Sequence, residues 1–230
     1  MTPSKILRCS VTDAVALITV LIISLIMDVF VDIPPAMIIV QLLAVIVLSQ
    51  AYPISTLKHD KRKHKPRHHI QVKIETPAFG VMAGLITYIS YLLFFAYNSL
   101  SPVFIDTTSE LYKQATTVAL VTLALCLAVN LFFIRADEHP RVLTDHLMKN
   151  QKLLIALGVS FFCILNVVYN PWLQDVFSTA EIGIVEWSAA IFCAGIYSVL
   201  RHVQRFTRKH TRQSVIDLHK QTKHHPKHST

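Results

Sequence analysis

Three polar residues and one proline in otherwise apolar stretches are the first candidates for chemistry in this sequence. Ser49 and Gln50 stand near the end of an uncharged run, and Pro53 follows within one helical turn. Because proline has no backbone N–H, it frees a carbonyl about one turn earlier, and a broken helix of this kind can line an ion site. Asn130 lies in a later uncharged run. If the chain has an ion path, we expect Ser49 and Gln50 to face Asn130, with a helix break at Pro53.

The same residues also have a structural interpretation. Polar side chains in membrane helices are functional candidates by default. However, Ser, Gln and Asn also hydrogen-bond between neighbouring helices. Taken alone, Ser49, Gln50 and Asn130 favour this second interpretation.

Long apolar segments must position these residues. The chain has 230 residues, of which 53% are hydrophobic and 16% charged, which argues against disorder and against an ordinary soluble enzyme. A helix needs about 20 apolar residues to cross the hydrocarbon core. Six segments approach or exceed that length, at about 14–31, 33–57, 79–100, 115–134, 153–169 and 185–200. We predict an all-α membrane protein in which six transmembrane helices pack as three helical hairpins. Gly80 and Gly84 form a GxxxG pair that favours close packing of another helix.

The basic residues predict an orientation. All Lys and Arg residues except Lys113 lie before the first segment, in 58–75, in 135–152 or after Leu200, and all 12 His share those regions. Cytoplasmic loops of membrane proteins carry such a positive excess. We therefore expect an integral protein of the cytoplasmic or plasma membrane with both termini in the cytoplasm. Residues 1–205 would form the six-helix domain, and 206–230 a basic, His-rich tail.

The basic clusters also suggest partners. Beside a membrane, the 58–73 loop and the C-terminal tail favour contact with anionic lipid headgroups over nucleic acid. The pairs His68-His69 and His224-His225, the latter with His228, could hold zinc or nickel, or could form a solvated, pH-tunable surface. The sequence favours the second alternative because no Cys or carboxylate lies at metal-site spacing. We assign no metal site and no cofactor.

Motifs of soluble catalysis are missing from the sequence. It contains five Gly residues, no phosphate-binding glycine loop, no GxSxG elbow and no HExxH pair. The loops are too short for a soluble catalytic domain between the apolar segments. We therefore predict that this chain is not an enzyme by itself.

The order of the segments resembles the C-terminal membrane region of cation-transporting P-type ATPases, where six helices follow the phosphorylation domain. Residues 40–53 (VQLLAVIVLSQAYP) are similar to the family's sixth-helix run VQLLWxNLxTDxxP, and 115–135 to its eighth helix. The stretch 150–187 is the best match, through Asn150, Tyr169, Pro171, Leu173, Gln174, Phe177 and Trp187. The resemblance covers roughly Lys5 to His210.

Departures from the family pattern bear on function. The resemblance places the family's ion-ligand positions at Ile18, Leu21, Ile46, Ser49, Gln50 and Leu127. Only Ser49 and Gln50 are polar, whereas a calcium ion needs six to eight oxygen ligands, several of them charged. The D-K-T-G phosphorylation motif is also missing, so this chain cannot hydrolyse ATP by the family's mechanism on its own.

These departures lead to two main hypotheses. We expect a non-catalytic structural or regulatory membrane subunit. The alternative is the membrane half of a split P-type cation pump, which contributes to ion translocation beside a separate catalytic chain. A decaying fragment is less favoured because few charges interrupt the spans and the loops keep the charges that set topology, and an autonomous carrier is less favoured because the two halves show no internal repeat.

Overall fold

The computed structural model describes residues 3–31, 71–103, 105–136 and 151–224, and within them the chain is helical with no strand. The helices are α1 (Pro3–Val31), α2 (Gln71–Tyr97), α3 (Glu110–Ala136), α4 (Gln151–Tyr169), α5 (Pro171–Phe177) and α6 (Ile184–His224). The predicted all-α class is confirmed for these residues. Ser49, Gln50 and Pro53 lie outside them, as does the predicted segment 33–57.

Four of the described helices are long and apolar enough to cross a membrane. These spans are Val11–Val29 in α1, Pro77–Tyr97 in α2, Glu110–Phe133 in α3 and Ile184–Gln204 in α6. They correspond to the predicted segments 14–31, 79–100, 115–134 and 185–200. The remaining apolar helix, α4, has a shorter apolar part, Leu157–Tyr169.

Two glycines set how α1 packs against α2. A Cβ atom placed on Gly80 would lie 2.6 Å from the carbonyl oxygen of Thr12, and one on Gly84 would lie 2.9 Å from that of Ala16. The close approach expected from the GxxxG pair is therefore confirmed. Because residue numbers rise together on the two helices, α1 and α2 run in the same direction.

α3 and α6 also run in the same direction. Near the start of α3, the Thr117 hydroxyl oxygen accepts a hydrogen bond (3.1 Å) from the backbone N–H of Ala180, which precedes α6. Near the end of the α3 span, Asn130 contacts Arg201 of α6. We call the two ends of the bundle the Asn170 end and the Arg201 end, after residues that lie there.

The connection from α2 to α3 is built from local hydrogen bonds. The backbone N–H of Thr108 donates to Asp106 Oδ1 (2.9 Å), and Ser109 Oγ accepts from the backbone N–H of Tyr112 (3.3 Å) in the first turn of α3. The backbone and side-chain hydrogen bonds from Thr108 hold the pKa of Asp106 below its usual range. Serine at this position is a favoured helix N-cap, so the sequence itself starts α3 here.

Two apolar clusters form the core of the described bundle. Toward the Asn170 end, the cluster is aromatic and includes Tyr88, Tyr91, Phe95 and Tyr112. The rings of Tyr91 and Phe95 meet edge to face with centroids 5.0 Å apart, a favoured aromatic geometry. Toward the Arg201 end, smaller side chains pack together, among them Ala16, Ala83, Leu123, Cys126, Cys193 and Tyr197.

α6 is much longer than a membrane span. Its 41 residues correspond to about 60 Å of helix, roughly twice the hydrocarbon thickness. The predicted boundary between the membrane domain and the tail, at residue 206, therefore falls inside a continuous helix that reaches His224.

Candidate functional site

A buried arginine occupies the Arg201 end of the bundle. The Arg201 side chain is buried, and its Nη2 atom donates a hydrogen bond of 2.5 Å to Asn130 Oδ1. The guanidinium carbon lies 3.3 Å from the ring centroid of Phe79 and 5.6 Å from that of Phe133. Residues of α2, α3 and α6 thus surround one positive charge.

Helical periodicity explains why this arginine is buried. Ala190, Ala194, Tyr197 and Arg201 are all buried, and their spacing of four, three and four residues places them on one face of α6. Arg201 continues this buried stripe beyond Tyr197. Inside the bundle, a cation–π contact can contribute about 2 kcal/mol, and a hydrogen bond to a charged group about 1.5–3 kcal/mol.

Of the four residues predicted from sequence, only Asn130 lies in the described part of the chain. Its side chain is buried, and its carbonyl oxygen is the acceptor for Arg201. Sequence analysis missed Arg201 because the residue begins a basic region and was assigned to the orientation signal. The available clue was its place on the apolar stripe that contains Ala194 and Tyr197.

The buried polar side chains of the described residues include no carboxylate. Most are Ser and Thr, and their hydroxyls commonly donate within their own helix, as from Thr87 to the carbonyl of Ala83 (2.9 Å) and from Thr122 to that of Val118 (2.8 Å). The full set is Thr12, Ser24, Thr87, Ser90, Thr116, Thr117, Thr122, Asn130, Thr179 and Arg201. The described interior therefore offers few oxygens that a bare cation could use.

Three of the ligand positions implied by the resemblance can be located. Ile18 is 53% exposed on α1, Leu21 is half-buried on the same helix, and Leu127 is buried in the cluster near the Arg201 end. None of these side chains supplies an oxygen, and they lie in different environments. No group of three or more His, Cys, Asp or Glu residues in the described ranges is placed to hold a metal ion.

A second polar arrangement lies at the Asn170 end, where α4, α5 and α6 meet. The Tyr169 hydroxyl donates to the carbonyl of Ile182 (3.0 Å) and accepts from Trp187 Nε1 (2.9 Å). Asn170 caps α5 by accepting from the backbone N–H of Trp172, while Gln174 Nε2 donates to the carbonyl of Val168. The connection between α4 and α6 is thus held by side chains. Tyr169, Gln174 and Trp187 are among the residues through which the stretch 150–187 resembles the P-type ATPases.

We expect Tyr169→Phe to loosen this connection modestly. The variant loses a donor for Ile182 and an acceptor for Trp187, and each hydrogen bond is worth about 1 kcal/mol. The thermal unfolding midpoint of the purified full chain should fall by about 4–8 °C. Tyr97→Phe is the matched control, because Tyr97 is 69% exposed at the end of α2. An equal shift in both variants would contradict the role assigned to Tyr169.

Comparison with known families gives a match across most of the chain. A family model described as "Cation transporting ATPase, C-terminus" matches residues 14–206. The matched region includes Asn130 and Arg201 at one end of the bundle and Tyr169 at the other. A search of curated proteins gives no match.

Proposed function

The chain belongs to the family of cation-transporting ATPase C-terminal domains, and from this premise we propose that it is a non-catalytic structural or regulatory membrane subunit. It keeps the helical scaffold of an ion-path domain but replaces most of the cation ligands. The observation that carries the proposal is the buried positive charge of Arg201. Asn130, Phe79 and Phe133 hold this guanidinium, so the place where α2, α3 and α6 meet is occupied by a cation of the protein itself.

The described interior supports the same proposal. Pumped divalent cations need several charged oxygens around them. The buried polar side chains described here are hydroxyls, one amide and one guanidinium. Because Asn130 Oδ1 accepts a hydrogen bond from Arg201, that amide oxygen is already engaged.

We extend the proposal to six membrane crossings. α1 and α2 run in the same direction, so the chain between them has to return across the bilayer, and the uncharged segment 33–57 is long enough. α3 and α6 are also parallel, and α4 ends beside the start of α6 at the Asn170 end. We therefore assign α4 as the span that brings the chain back from the Arg201 end to the Asn170 end. With the basic loops facing the cytoplasm, both termini lie on that side.

Cysteine accessibility tests this topology. Single cysteines at Thr2, His68 and Thr108, in a chain whose own cysteines are replaced by Ala or Ser, are probed with a membrane-impermeant maleimide. We expect labelling at Thr108 in intact cells, and labelling at Thr2 and His68 only after permeabilisation. Opposite accessibility at Thr2 and His68 would mean that 33–57 does not cross the bilayer.

Ion flux tests the non-catalytic role. Purified protein is reconstituted into liposomes, and uptake of rubidium and calcium is measured with and without ATP. We expect no uptake above that of empty liposomes, and we expect Gln50→Ala to leave membrane insertion and co-purification of membrane partners unchanged. Cation uptake that Gln50→Ala abolishes would refute the proposal.

The family match favours a second candidate, the membrane half of a split cation pump. The matched residues 14–206 correspond to the part of such ATPases that lies in the membrane. This function requires a separate chain with the phosphorylated aspartate. Co-purification of a chain that forms an acid-stable phosphoenzyme from ATP only with the present chain would establish it over the non-catalytic role.

A further inference from the structure

Four buried hydroxyls in the described bundle have no protein partner. That of Tyr197 belongs to the cluster near the Arg201 end, and the other three lie toward the Asn170 end. Ser24 Oγ and the hydroxyls of Tyr88 and Tyr91 form no hydrogen bond within the described part of the chain. Their residues are 1%, 5% and 1% exposed. Native proteins rarely leave such groups unsatisfied, and ordered water commonly completes their hydrogen bonding.

From the register of the two helices, we infer that the three residues lie at about one level of the α1–α2 interface. Tyr88 and Tyr91 follow Gly84 by four and seven residues and thus share the face of α2 that meets α1. Gly84 lies against Ala16, and Ser24 follows Ala16 by two helical turns. Because the helices are parallel, this spacing brings Ser24 level with Tyr91. The rings of Tyr88 and Tyr91 have centroids 5.8 Å apart.

The hydroxyl of Ser24 differs from its neighbours. Thr19 donates to the carbonyl of Val15 (2.8 Å), and Ser90 donates to that of Thr87 (2.7 Å), so both are satisfied within their own helices. Such bonds are the usual solution for Ser and Thr in apolar helices. Ser24 forms no such bond although it is buried. Its oxygen can therefore form a hydrogen bond to a small molecule bound between the helices.

We propose that Ser24, Tyr88 and Tyr91, which we call the hydroxyl layer, bind ordered water between α1 and α2. A buried water needs two to four hydrogen-bonding partners, and three hydroxyls can donate as well as accept. The surrounding cluster is aromatic and aliphatic. No carboxylate is buried among the described residues, so the layer suits a neutral guest better than a cation.

Radiolytic hydroxyl-radical labelling detects such water directly, because radicals form on water bound beside a buried side chain. The full chain in lipid nanodiscs is irradiated and mapped by mass spectrometry. We expect labelling of Tyr88 and Tyr91 several times above that of Phe95. Phe95 is the internal control, since it is 1% exposed and its ring lies 5.0 Å from that of Tyr91. Labelling of both tyrosines at the level of Phe95 would overturn the proposal.

Removing one of these hydroxyls should lower the unfolding midpoint if water is bound in the layer and raise it if the layer is dry. If water is bound, Tyr91→Phe and Ser24→Ala each deprive it of a partner, and the unfolding midpoint should fall by about 2–4 °C. If the layer is dry, each change removes an unsatisfied polar group and the midpoint should rise, which would refute the proposal. Tyr97→Phe serves as the control.

The hydroxyl layer could bind a cation instead of water. Comparing the unfolding midpoint in different chloride salts distinguishes these two cases. We expect the unfolding midpoint to be the same in sodium, potassium and choline chloride at equal ionic strength. A rise with sodium or potassium that Tyr91→Phe abolishes would assign the layer to a cation and overturn the proposal for water.

Discussion

Alanine at Gly80 and Gly84 together is expected to destabilise the protein, whereas alanine at Gly158 and Gly195 together is not. A Cβ atom on Gly84 would lie 2.8 Å from the Cβ of Thr19, and one on Gly80 would lie 2.6 Å from the carbonyl oxygen of Thr12. At these distances the backbones of α1 and α2 must separate. Overpacking of this kind costs about 1–3 kcal/mol per site, so the paired variant should unfold about 4–24 °C lower.

The control pair makes the same chemical change without the clash. A Cβ atom on Gly158 or Gly195 would meet no atom within 4 Å. Alanine has the higher helix propensity, by about 1 kcal/mol, so the control variant should keep or raise its unfolding midpoint. Both pairs are measured in the same nanodiscs. Equal shifts for the two pairs would contradict the packing of α1 on α2.

Features governed by local sequence could be predicted. The four described spans follow from long apolar runs with few charges, because a helix is the only way for one segment to satisfy its backbone in lipid. The close contact at Gly80 and Gly84 follows from their spacing on one helix face. The start of α3 follows from Ser109. In each case the deciding residues lie within a few turns of one another.

Features that depend on contacts between distant residues could not be predicted. Arg201 and Asn130 are 71 positions apart. Neither local sequence indicates that the two side chains are in contact. The apolar run ends at Leu200, so Arg201 was assigned with the basic tail, and the stripe through Tyr197 that buries it was overlooked. The predicted path through Ser49 and Gln50 stays a prediction, since both lie outside the described residues.

Asn130→Leu is expected to give one of the largest losses of stability of any single change at the Arg201 end. The leucine fills the space of the amide but leaves the buried guanidinium of Arg201 without the Asn130 acceptor. Losing a hydrogen bond to a buried charged group costs about 1.5–3 kcal/mol, so the unfolding midpoint should fall by about 3–12 °C. Arg201→Met should cost less, because it removes the charge and keeps an apolar side chain near Phe79.

The paired variant Asn130→Leu with Arg201→Met distinguishes a specific interaction from general damage to the core. If the guanidinium is the origin of the loss, the paired variant should be more stable than Asn130→Leu alone, by a coupling of about 1–3 kcal/mol. Arg201→Lys should not rescue, since an ammonium lacks the planar surface that stacks on Phe79. His202→Ala is the matched control, because His202 is adjacent on α6 but exposed. Additive losses in the paired variant would show that Arg201 and Asn130 act independently, and the buried charge would then no longer support a non-transporting role.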